Sequence, residues 1–454
     1  MTLASVAEAC QQKATAPVRD RRDRRLNVVV VTTANGRGGA GRAANRLHHA
    51  FRAHEQLRST MLVAPGRNIT GDPAVETVDL ADIQGLGARS RWAEGRRLLA
   101  NRWRYRFRPK GFEPFQDDRT PDGEALLPHL DDIDVTHLHW VTRFISVETL
   151  QKLAERTPLL WTLHDMLPFT GGCHYDHGCG RWLEGCGACP QLGSIKVLDV
   201  SAETWRRKRD ALASIPTHRL RFVTPSRWLR DQVQKSPLLR RFSVTVIPNA
   251  IDLERYRPRN RRATRAELGL PADRKLLLFV AADLSSMRKG GQFLQRAMAC
   301  LSDAADVDLV AVGDGRVPID HPRVHRLGAV DDEERLAKIF SAVDLFILPS
   351  LQDNLPNTMV EALASATPVV AFDAGGIPDF VRPNETGALV PVEDGKALGE
   401  AAKALLAAPG ELDELGRNGR LLVERECNAR IAADRYVQEF LTLSVACSSK
   451  VQAA

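Results

Sequence analysis

The sequence predicts an α/β protein with two doubly wound domains in tandem, each built around a parallel sheet. Short β-branched or apolar runs alternate with segments of helical periodicity along most of the chain, and parallel strands require such crossovers. The chain has 454 residues, of which 44% are hydrophobic and 26% are charged. It is therefore globular, and too long for one ordinary core of roughly 150 residues.

The first half begins with a polar, arginine-rich segment, residues 1–25, which we expect to be a disordered basic tail. Residues 26–32 predict a strand buried on both faces, residues 36–41 a glycine turn, and the apolar spacing from Ala43 a helix. The later elements predicted here are strands at 60–63, 75–80, 134–139, 159–163 and 221–224, and helices at 146–155 and from 226. Residues 26–248 are thus expected to form the first domain.

The second half repeats the alternation of strands and helices. Strands are predicted at 275–282, 307–312, 344–348 and 368–372, with helices between them and from 395 onward. The very basic stretch 255–265 is interpreted as an exposed connection. Residues 249–427 are expected to form the second domain, and residues 428–454 a C-terminal helix that returns to the first.

A series of motifs in the second half carries a family resemblance. The motifs are Asp344-Leu-Phe-Ile-Leu-Pro-Ser350, Asp353-Asn-Leu-Pro-Asn357, Glu361-Ala362, Thr367-Pro-Val-Val370 and Gly375-Gly-Ile-Pro378. In this order they resemble the donor domain of retaining glycosyltransferases of family 4, the group 1 glycosyltransferases. The resemblance implies the GT-B fold, in which two Rossmann-like domains face each other across a cleft, with an acceptor domain at 26–248 and a donor domain at 249–427.

Two further segments extend the resemblance. The run from Ile247 to Asp252 resembles the linker between the two domains of that family. The segments 162–165 and 169–175 are similar to a subset that builds bacterial exopolysaccharides. The resemblance covers the chain from about Leu26 to its C-terminus.

Four residues of the second half are candidates for catalysis. Because sugar transfer leaves negative charge on a diphosphate, the site needs positive groups there. By resemblance, Lys289 is the diphosphate cation and Arg288 assists it, Glu361 binds the ribose diol, and Asp353, one methylene shorter than the usual glutamate, contacts the donor sugar. We expect Lys289 to open a helix and Asn357 to be a helix N-cap. The alternatives are a solvated basic pair and a carboxylate that only favours the helix dipole.

The first half supplies the other side of the predicted cleft. The Gly38-Gly39 turn lets the backbone approach a phosphate, although such turns are also common in simple packing. His164 and Asp165 follow a strand, where ligands of open α/β sheets bind, and by resemblance His164 reaches the donor sugar. The alternative for His164, and for His137 and His139, is a structural histidine. The other positions expected to bind substrate or donor are Asn249, Gly313, Gly315, Val330, Asn354, Leu355, Pro356 and Asn357. For the glycines among them, plain turns are the alternative.

The predicted activity is retaining transfer of a sugar from a UDP- or GDP-type donor to a lipid-linked or saccharide acceptor in bacterial polysaccharide biosynthesis. No Asp-x-Asp pair follows a strand in the second half, so we expect catalysis without a divalent ion. The first glycine turn lacks the pattern of a dinucleotide site, so no such cofactor is expected. The competing hypotheses are a nucleotide-sugar epimerase of the same fold and a sugar-nucleotide-binding scaffold without transfer activity.

A cysteine-rich insert, residues 165–195, interrupts the first domain. Four of the eight cysteines lie there among many glycines, with spacing C-x5-C-x6-C-x2-C. They are Cys173, Cys179, Cys186 and Cys189. Four thiolates suit tetrahedral zinc, and the last pair has the usual spacing of a zinc knuckle. The insert therefore predicts a structural zinc site. An iron–sulfur cluster, replacement of one cysteine by His174 or His177, and unligated cysteines remain alternatives.

The segment 89–110 combines nine basic residues and one acid with interleaved aromatic residues. Such a segment suits an anionic membrane surface, and a solvated helix is the alternative. Nucleic acid would attract the same charge, but the lipid-linked acceptors of the family favour the membrane. With no predicted secretory signal, we expect a cytoplasmic protein that is peripheral at the inner face of the cell membrane.

Overall fold

The computed structural model describes residues 25–36, 38–78, 105–106, 108–120, 122–302, 306–317, 319 and 323–451. Within these residues the chain forms two parallel sheets, each with helices on both faces, so the predicted fold class is confirmed. Residues 1–24 of the predicted N-terminal tail and most of the basic segment 89–110 lie outside the described residues. None of the helices in the described ranges has both the length and the apolar character needed to cross a lipid bilayer.

The first sheet has seven strands in the order β3-β2-β1-β4-β5-β6-β7. Its strands are β1 (Leu26–Thr32), β2 (Leu57–Val63), β3 (Val75–Thr77), β4 (Val135–Leu138), β5 (Leu159–Thr162), β6 (Leu220–Thr224) and β7 (Val244–Val246). The helices of this domain are α1 (Gly38–Ala53), α2 (Val147–Arg156), α3 (Val200–Ser214) and α4 (Arg227–Lys235). Side-chain caps at Ser146, Asp199 and Ser226 fix the starts of the last three.

The second sheet has six strands in the order β10-β9-β8-β11-β12-β13. Its strands are β8 (Lys275–Asp283), β9 (Val307–Asp314), β10 (Val324–Gly328), β11 (Leu345–Leu348), β12 (Val369–Phe372) and β13 (Gly387–Val390). The helices that follow β7 are α5 (Arg261–Leu268), α6 (Leu294–Cys300), α7 (Glu333–Ala342), α8 (Asn357–Ala364), α9 (Gly395–Ala407), α10 (Pro409–Glu426) and α11 (Ala429–Val451).

The last helix, α11, packs on the first domain. The rings of Tyr436 and Phe440 lie 5.6 and 5.5 Å from that of Phe51 on α1, and all three are buried. The chain therefore crosses between the domains twice, once before α5 and once before α11. A single backbone bridge joins the two crossings, between Ile251 and Asn428.

Both sheets have a topological switch point, where the strand order reverses direction. In the first sheet this point lies between β1 and β4, and in the second between β8 and β11. Ligands of open α/β sheets bind at the carboxyl ends of the strands that flank such a point. The glycine turn follows β1 and His139 follows β4, whereas Lys289 follows β8 and Asp353 follows β11.

Three local predictions are wrong. Residues 261–268 form α5, and the Arg265 side chain in it is buried because it donates to Ala342 O and Asp344 Oδ2, so the stretch 255–265 is not a wholly exposed connection. Lys289 does not open an α-helix, since short 3₁₀ turns occupy 287–293 and α6 begins at Leu294. The N-cap of α8 is Pro356, and Asn357 is its first residue.

Candidate functional site

The centre of the candidate site is a buried charge cluster at the carboxyl ends of β8 and β11. Asp353 Oδ2 accepts hydrogen bonds from Lys289 Nζ at 2.5 Å and from Arg288 Nη1 at 3.1 Å. Burial alone would raise the pKa of Asp353, but the two cations lie so close that the pKa falls below its ordinary value. The cluster therefore holds an ionised carboxylate between two cations.

A glycine allows these two loops to meet. Gly290 has φ +74°, and a Cβ atom there would lie 1.7 Å from the carbonyl oxygen of Pro349. Only a residue without a side chain can approach the chain after β11 so closely. Leu351 N also donates to Arg288 O, which fixes the relative position of the two loops. Gly290 thus brings Lys289 next to Asp353.

The first domain contributes side chains to the same cluster. The hydroxyl of Tyr175 lies 3.4 Å from Asp353 Oδ1, and its ring lies 4.3 Å from the Arg288 guanidinium. Glu113 pairs with Arg288 and, at 3.3 Å, with His177 Nε2. Although burial opposes it, these partners lower the pKa of Glu113 below its ordinary value. The Arg288 guanidinium is therefore held from both domains.

Asn354 fastens the loop after β11 to the first domain. Its amide group donates to the carbonyl oxygens of Leu163 and His164 at 3.3 and 3.1 Å, and its Oδ1 accepts from Ser226 at 2.6 Å. The two residues that follow, Leu355 and Pro356, are buried. Asn354 thus sets the distance between the two strand ends that form the cleft.

His164 lies at the carboxyl end of β5, as predicted. Its Nε2 shares a hydrogen bond of 3.0 Å with His139 Nδ1, and the two rings are stacked. Burial lowers the pKa of His164 to about 4, against a smaller opposing effect of Asp165. The imidazole is therefore neutral near pH 7, and it can hydrogen bond to a sugar hydroxyl without adding charge to the cleft.

The two neighbouring candidates, His137 and Asp165, are engaged in the protein's own structure. Asp165 accepts from His174 Nδ1 at 2.7 Å, from Trp140 Nε1 and from the backbone of Leu167. His137 is fully buried and bonds Thr162 Oγ1 at 2.9 Å. Both side chains therefore hydrogen bond within the protein and hold neighbouring residues in place.

Glu361 forms a second charge cluster on α8. It is buried, and its Oε1 accepts from Arg46 Nη2 at 2.8 Å. Arg46 lies on α1 of the first domain and also donates to Glu333 Oε1 at 2.7 Å. The ribose candidate is therefore a buried partner in an ion pair between the domains, and not an exposed carboxylate at a helix end.

The glycine turn after β1 meets α8 directly. Asn357 Nδ2 donates to Gly39 O at 2.8 Å, and Asn357 Oδ1 accepts from Asn249 at 2.9 Å. Gly38 has φ +67°, and a Cβ atom there would have nothing within 4 Å. Asn249, Asn357 and Gly39 thus form one hydrogen-bonded chain across the cleft.

The remaining donor-site candidates lie at the edge of the second sheet. Gly313 has φ +145°, and a Cβ atom there would lie 1.8 Å from Ala281 O, so β9 needs glycine to pack against β8. Gly315 follows with φ +82° beside Asp283. Val330 is partly buried against the core of the second domain. Gly313 and Gly315 therefore lie beside the end of β8.

A concave region opens beside His164 and is lined by residues of the first domain. Trp140, Trp161 and Arg143 form part of its wall, together with the buried Asp118. Asp118 and Arg143 have left-handed backbone conformations, with φ of 55° and 61°. The region combines apolar rings with a few polar groups, which is the ordinary character of a small-molecule site.

The four cysteines of the insert line one small cavity, together with Trp182. All four are free thiols, and burial raises the pKa of each of them, that of Cys186 to about 12. In the described part of the chain, no three His, Cys, Asp or Glu side chains are grouped so that they could hold a metal ion. The four thiols therefore line the same cavity but are not arranged as the ligands of a metal ion, and the zinc site stays a prediction.

Several residues of the site were not predicted from the sequence. Tyr175 lies within the segment 169–175, whose resemblance was noted, and Gln352 directly precedes Asp353. Arg46 follows Gly39 and Arg42 at helical spacing, so one helix face carried a signal for it. Glu113 had none, since its role depends on a contact with Arg288 of the other domain, which is remote in sequence.

Comparison with known proteins recognises part of the second domain. Residues 274–408 match the family model described as "Glycosyl transferases group 1". D-inositol 3-phosphate glycosyltransferase 2 from Catenulispora acidiphila is 31% identical over 193 residues, 38% of this chain and 45% of that protein. The putative colanic acid biosynthesis glycosyl transferase WcaC from Escherichia coli is 29% identical over 249 residues, 52% of this chain and 58% of that protein. The chain spans about half the length of the curated relatives it matches.

Solved structures share the architecture of both domains. Sucrose-phosphate synthase from Thermosynechococcus elongatus superposes with a TM-score of 0.64 at 20% identity, over 93% of this chain and 100% of that chain. HepE from Anabaena, in complex with UDP, gives a TM-score of 0.62 at 15% identity, over 92% of this chain and 100% of that chain. At such identities the likeness establishes the GT-B fold.

Proposed function

We propose that the protein is a retaining glycosyltransferase that moves a sugar from a nucleotide-diphosphate donor to a lipid-linked or saccharide acceptor in bacterial polysaccharide biosynthesis. The observation that carries this proposal is the cluster of Arg288, Lys289 and Asp353 at the switch point of the second sheet. Side chains of the first domain close over it. The match of residues 274–408 to group 1 glycosyltransferases supports the same conclusion.

The chemistry requires positive charge that is in place before the bond breaks. When the bond between sugar and diphosphate breaks, negative charge develops on the leaving group. Arg288 and Lys289 are half-buried and held by Asp353, Glu113 and Gln352 O, so little reorganisation is needed. We assign the diphosphate to these two cations and the ribose to Glu361. This arrangement needs no divalent ion for catalysis.

Asp353 is better suited to hold these cations than to act as a base. Both of its oxygens already have partners, since Oδ2 accepts from Lys289 and Arg288 and Oδ1 lies beside Tyr175. We therefore assign no protein general base. The leaving phosphate takes the proton of the acceptor on the same face of the sugar, which gives retention of configuration.

The acceptor is assigned to the first domain. The concave region beside His164 offers tryptophan rings and polar groups, which suit a saccharide. WcaC is named for colanic acid biosynthesis, and HepE was solved in complex with UDP-glucose. These relatives support a polysaccharide product and a UDP-type donor for this chain.

Two variants of the donor site test this proposal. Lys289→Ala should lower turnover at least ~100-fold, the usual loss when one charge-stabilising donor is removed from a site. Glu361→Gln should abolish measurable transfer, because the amide has one acceptor oxygen in place of two and cannot accept from both Arg46 and a ribose diol as the carboxylate does. Lys338→Ala is the matched control, because Lys338 pairs with Glu267 on the surface. Near-wild-type turnover of either site variant would contradict the assignment.

A further inference from the structure

Arg46 is a side chain of the first domain that reaches across the cleft to the second domain. It extends from α1, and only 8% of its side chain is exposed. Its Nη2 bonds Glu361 Oε1 at 2.8 Å, Glu333 Oε1 at 2.7 Å and the Tyr256 hydroxyl at 3.2 Å. The guanidinium also lies 5.1 Å from the centre of the Tyr256 ring. One cation thus joins three groups of the second domain.

The charges around Arg46 explain why it stays there. Burial alone would lower the pKa of Arg46, but Glu361, Tyr256 and Glu333 raise it above its ordinary value. Glu333 also pairs with Arg255. Glu361, unlike Glu333, has one cationic partner among the described residues, because only Arg46 lies within salt-bridge distance of it. A buried carboxylate that loses its partner is strongly unfavourable.

The pair leaves half of the Glu361 carboxylate for a ligand. Arg46 occupies Oε1, and no hydrogen bond joins Oε2 to the described residues. We propose that Arg46 is a positioning residue for the ribose of the donor: it orients the Glu361 carboxylate from across the cleft. Because Arg46 and Glu361 belong to different domains, the ribose site is complete only when the domains are closed as they are here.

This inference rests on the proposed function, in which Glu361 binds the ribose. The test is calorimetric titration of the full chain with UDP and GDP, followed by the 2′,3′-dideoxy analogue of the nucleotide that binds. Arg46→Ala should weaken binding of the nucleotide at least ten-fold and binding of the analogue far less. The ratio of the two affinities should therefore fall towards one. Arg46→Lys keeps the positive charge, so its ratio of the two affinities should lie between those of the wild type and Arg46→Ala.

Arg42→Ala is the matched control. Arg42 lies one turn earlier on α1, and its nearest carboxylate oxygens are 3.8 and 4.0 Å away, so affinity should change less than three-fold. If Arg46→Ala fails to fold by circular dichroism, Arg46→Gln, which keeps most of the side-chain volume, is assessed by the same ratio.

Three results would overturn the inference. If Arg46→Ala binds both the nucleotide and the analogue with wild-type affinity, Arg46 does not position the ribose acid. If nucleotide and analogue weaken equally, Arg46 serves domain packing alone. If Glu361→Gln also leaves the ratio unchanged, or neither nucleotide binds the wild type, the donor site itself is wrongly assigned, and the proposed function fails with it.

Discussion

At the scale of single residues, the cleft is organised by ion pairs whose partners come from different parts of the chain. Arg288 pairs with Asp353 of its own domain and with Glu113 of the other, and Glu361 pairs with Arg46. Residue type and motif order predicted Arg288, Lys289, Asp353 and Glu361. Their partners could not be predicted, because a salt bridge between domains leaves no local pattern in the sequence.

A group of buried histidines leads to a prediction about acid stability. Burial lowers the pKa of His48 and His164 to about 4 and that of His137 to about 3, from an ordinary 6.5, and lowers that of His139 as well. Between pH 6.5 and these lowered pKa values, the unfolded chain binds more protons than the folded one. The free energy of unfolding is therefore at its full value above pH 6.5 and falls as the pH drops. Each such histidine should cost roughly 1 kcal/mol per pH unit.

Urea unfolding at pH 7.5, 6.0 and 5.0 measures this effect. The window lies above the ordinary pKa of Asp and Glu, so carboxylates contribute little to it. His137→Gln should reduce the slope of stability against pH, whereas His49→Gln, which changes an exposed histidine on α1, should leave the slope as it is. A free energy of unfolding that is constant from pH 7.5 to 5.0 would contradict this account.

At the scale of elements, the cysteine insert forms a loop that packs on α3. The Trp205 indole on α3 donates to the carbonyl oxygen of Trp182, and Ser201 bonds Gly187 N. Positive φ at Cys186 and Ala188 gives the tight turns that bring the thiols to one cavity. The insert is thus held against α3 with its four thiols around one cavity.

Elemental analysis of untagged protein tests the predicted zinc site. We expect about one zinc per chain, because four thiolates satisfy its tetrahedral preference. Cys186→Ser should lose the metal together with activity, whereas Cys300→Ser on α6 should keep both. Fully active protein without metal would contradict the prediction, and a brown colour would indicate an iron–sulfur cluster instead.

The end of the insert carries an exposed apolar stretch that extends the membrane hypothesis. Ile195, Val197 and Leu198 are 94%, 73% and 67% exposed. Tyr105, near the end of the basic segment 89–110, packs against the cluster formed by Phe115, Cys189 and Leu192. Apolar side chains beside cations are the usual combination for binding at an anionic lipid surface.

Co-sedimentation with phosphatidylglycerol vesicles tests this surface. The protein should bind at low salt and release at high salt, since exposed charges are screened over a Debye length. Replacing Arg102, Arg104 and Arg106 with Ser, or Ile195, Val197 and Leu198 with Ser, should weaken binding. Leu421→Ser and Val445→Ser, at exposed positions on α10 and α11, are the controls. Absent or salt-independent binding would count against a membrane role.

At the scale of the whole molecule, the sequence predicted the two sheets but not all of their strands. The buried strands β1, β5, β8 and β11 are continuous apolar runs, so their pattern is strong. The edge strands β10 and β13 are only partly buried and gave no such run. The burial of Arg265 and the 3₁₀ turns around Lys289 depend on contacts with β11 and its neighbouring loops, and such contacts cannot be deduced from local propensity.

The central claim is that the cleft binds a nucleotide sugar and transfers its sugar. The most direct test is incubation of the protein with a panel of UDP- and GDP-sugars, with nuclear magnetic resonance to follow the free nucleotide and the anomeric form of the released sugar. We predict slow release of nucleotide from one donor without acceptor, with the configuration of that donor retained, and no release by Lys289→Ala. Conversion of the donor to another sugar nucleotide would indicate an epimerase. No change in any donor would indicate a binding scaffold, and either result would contradict the account.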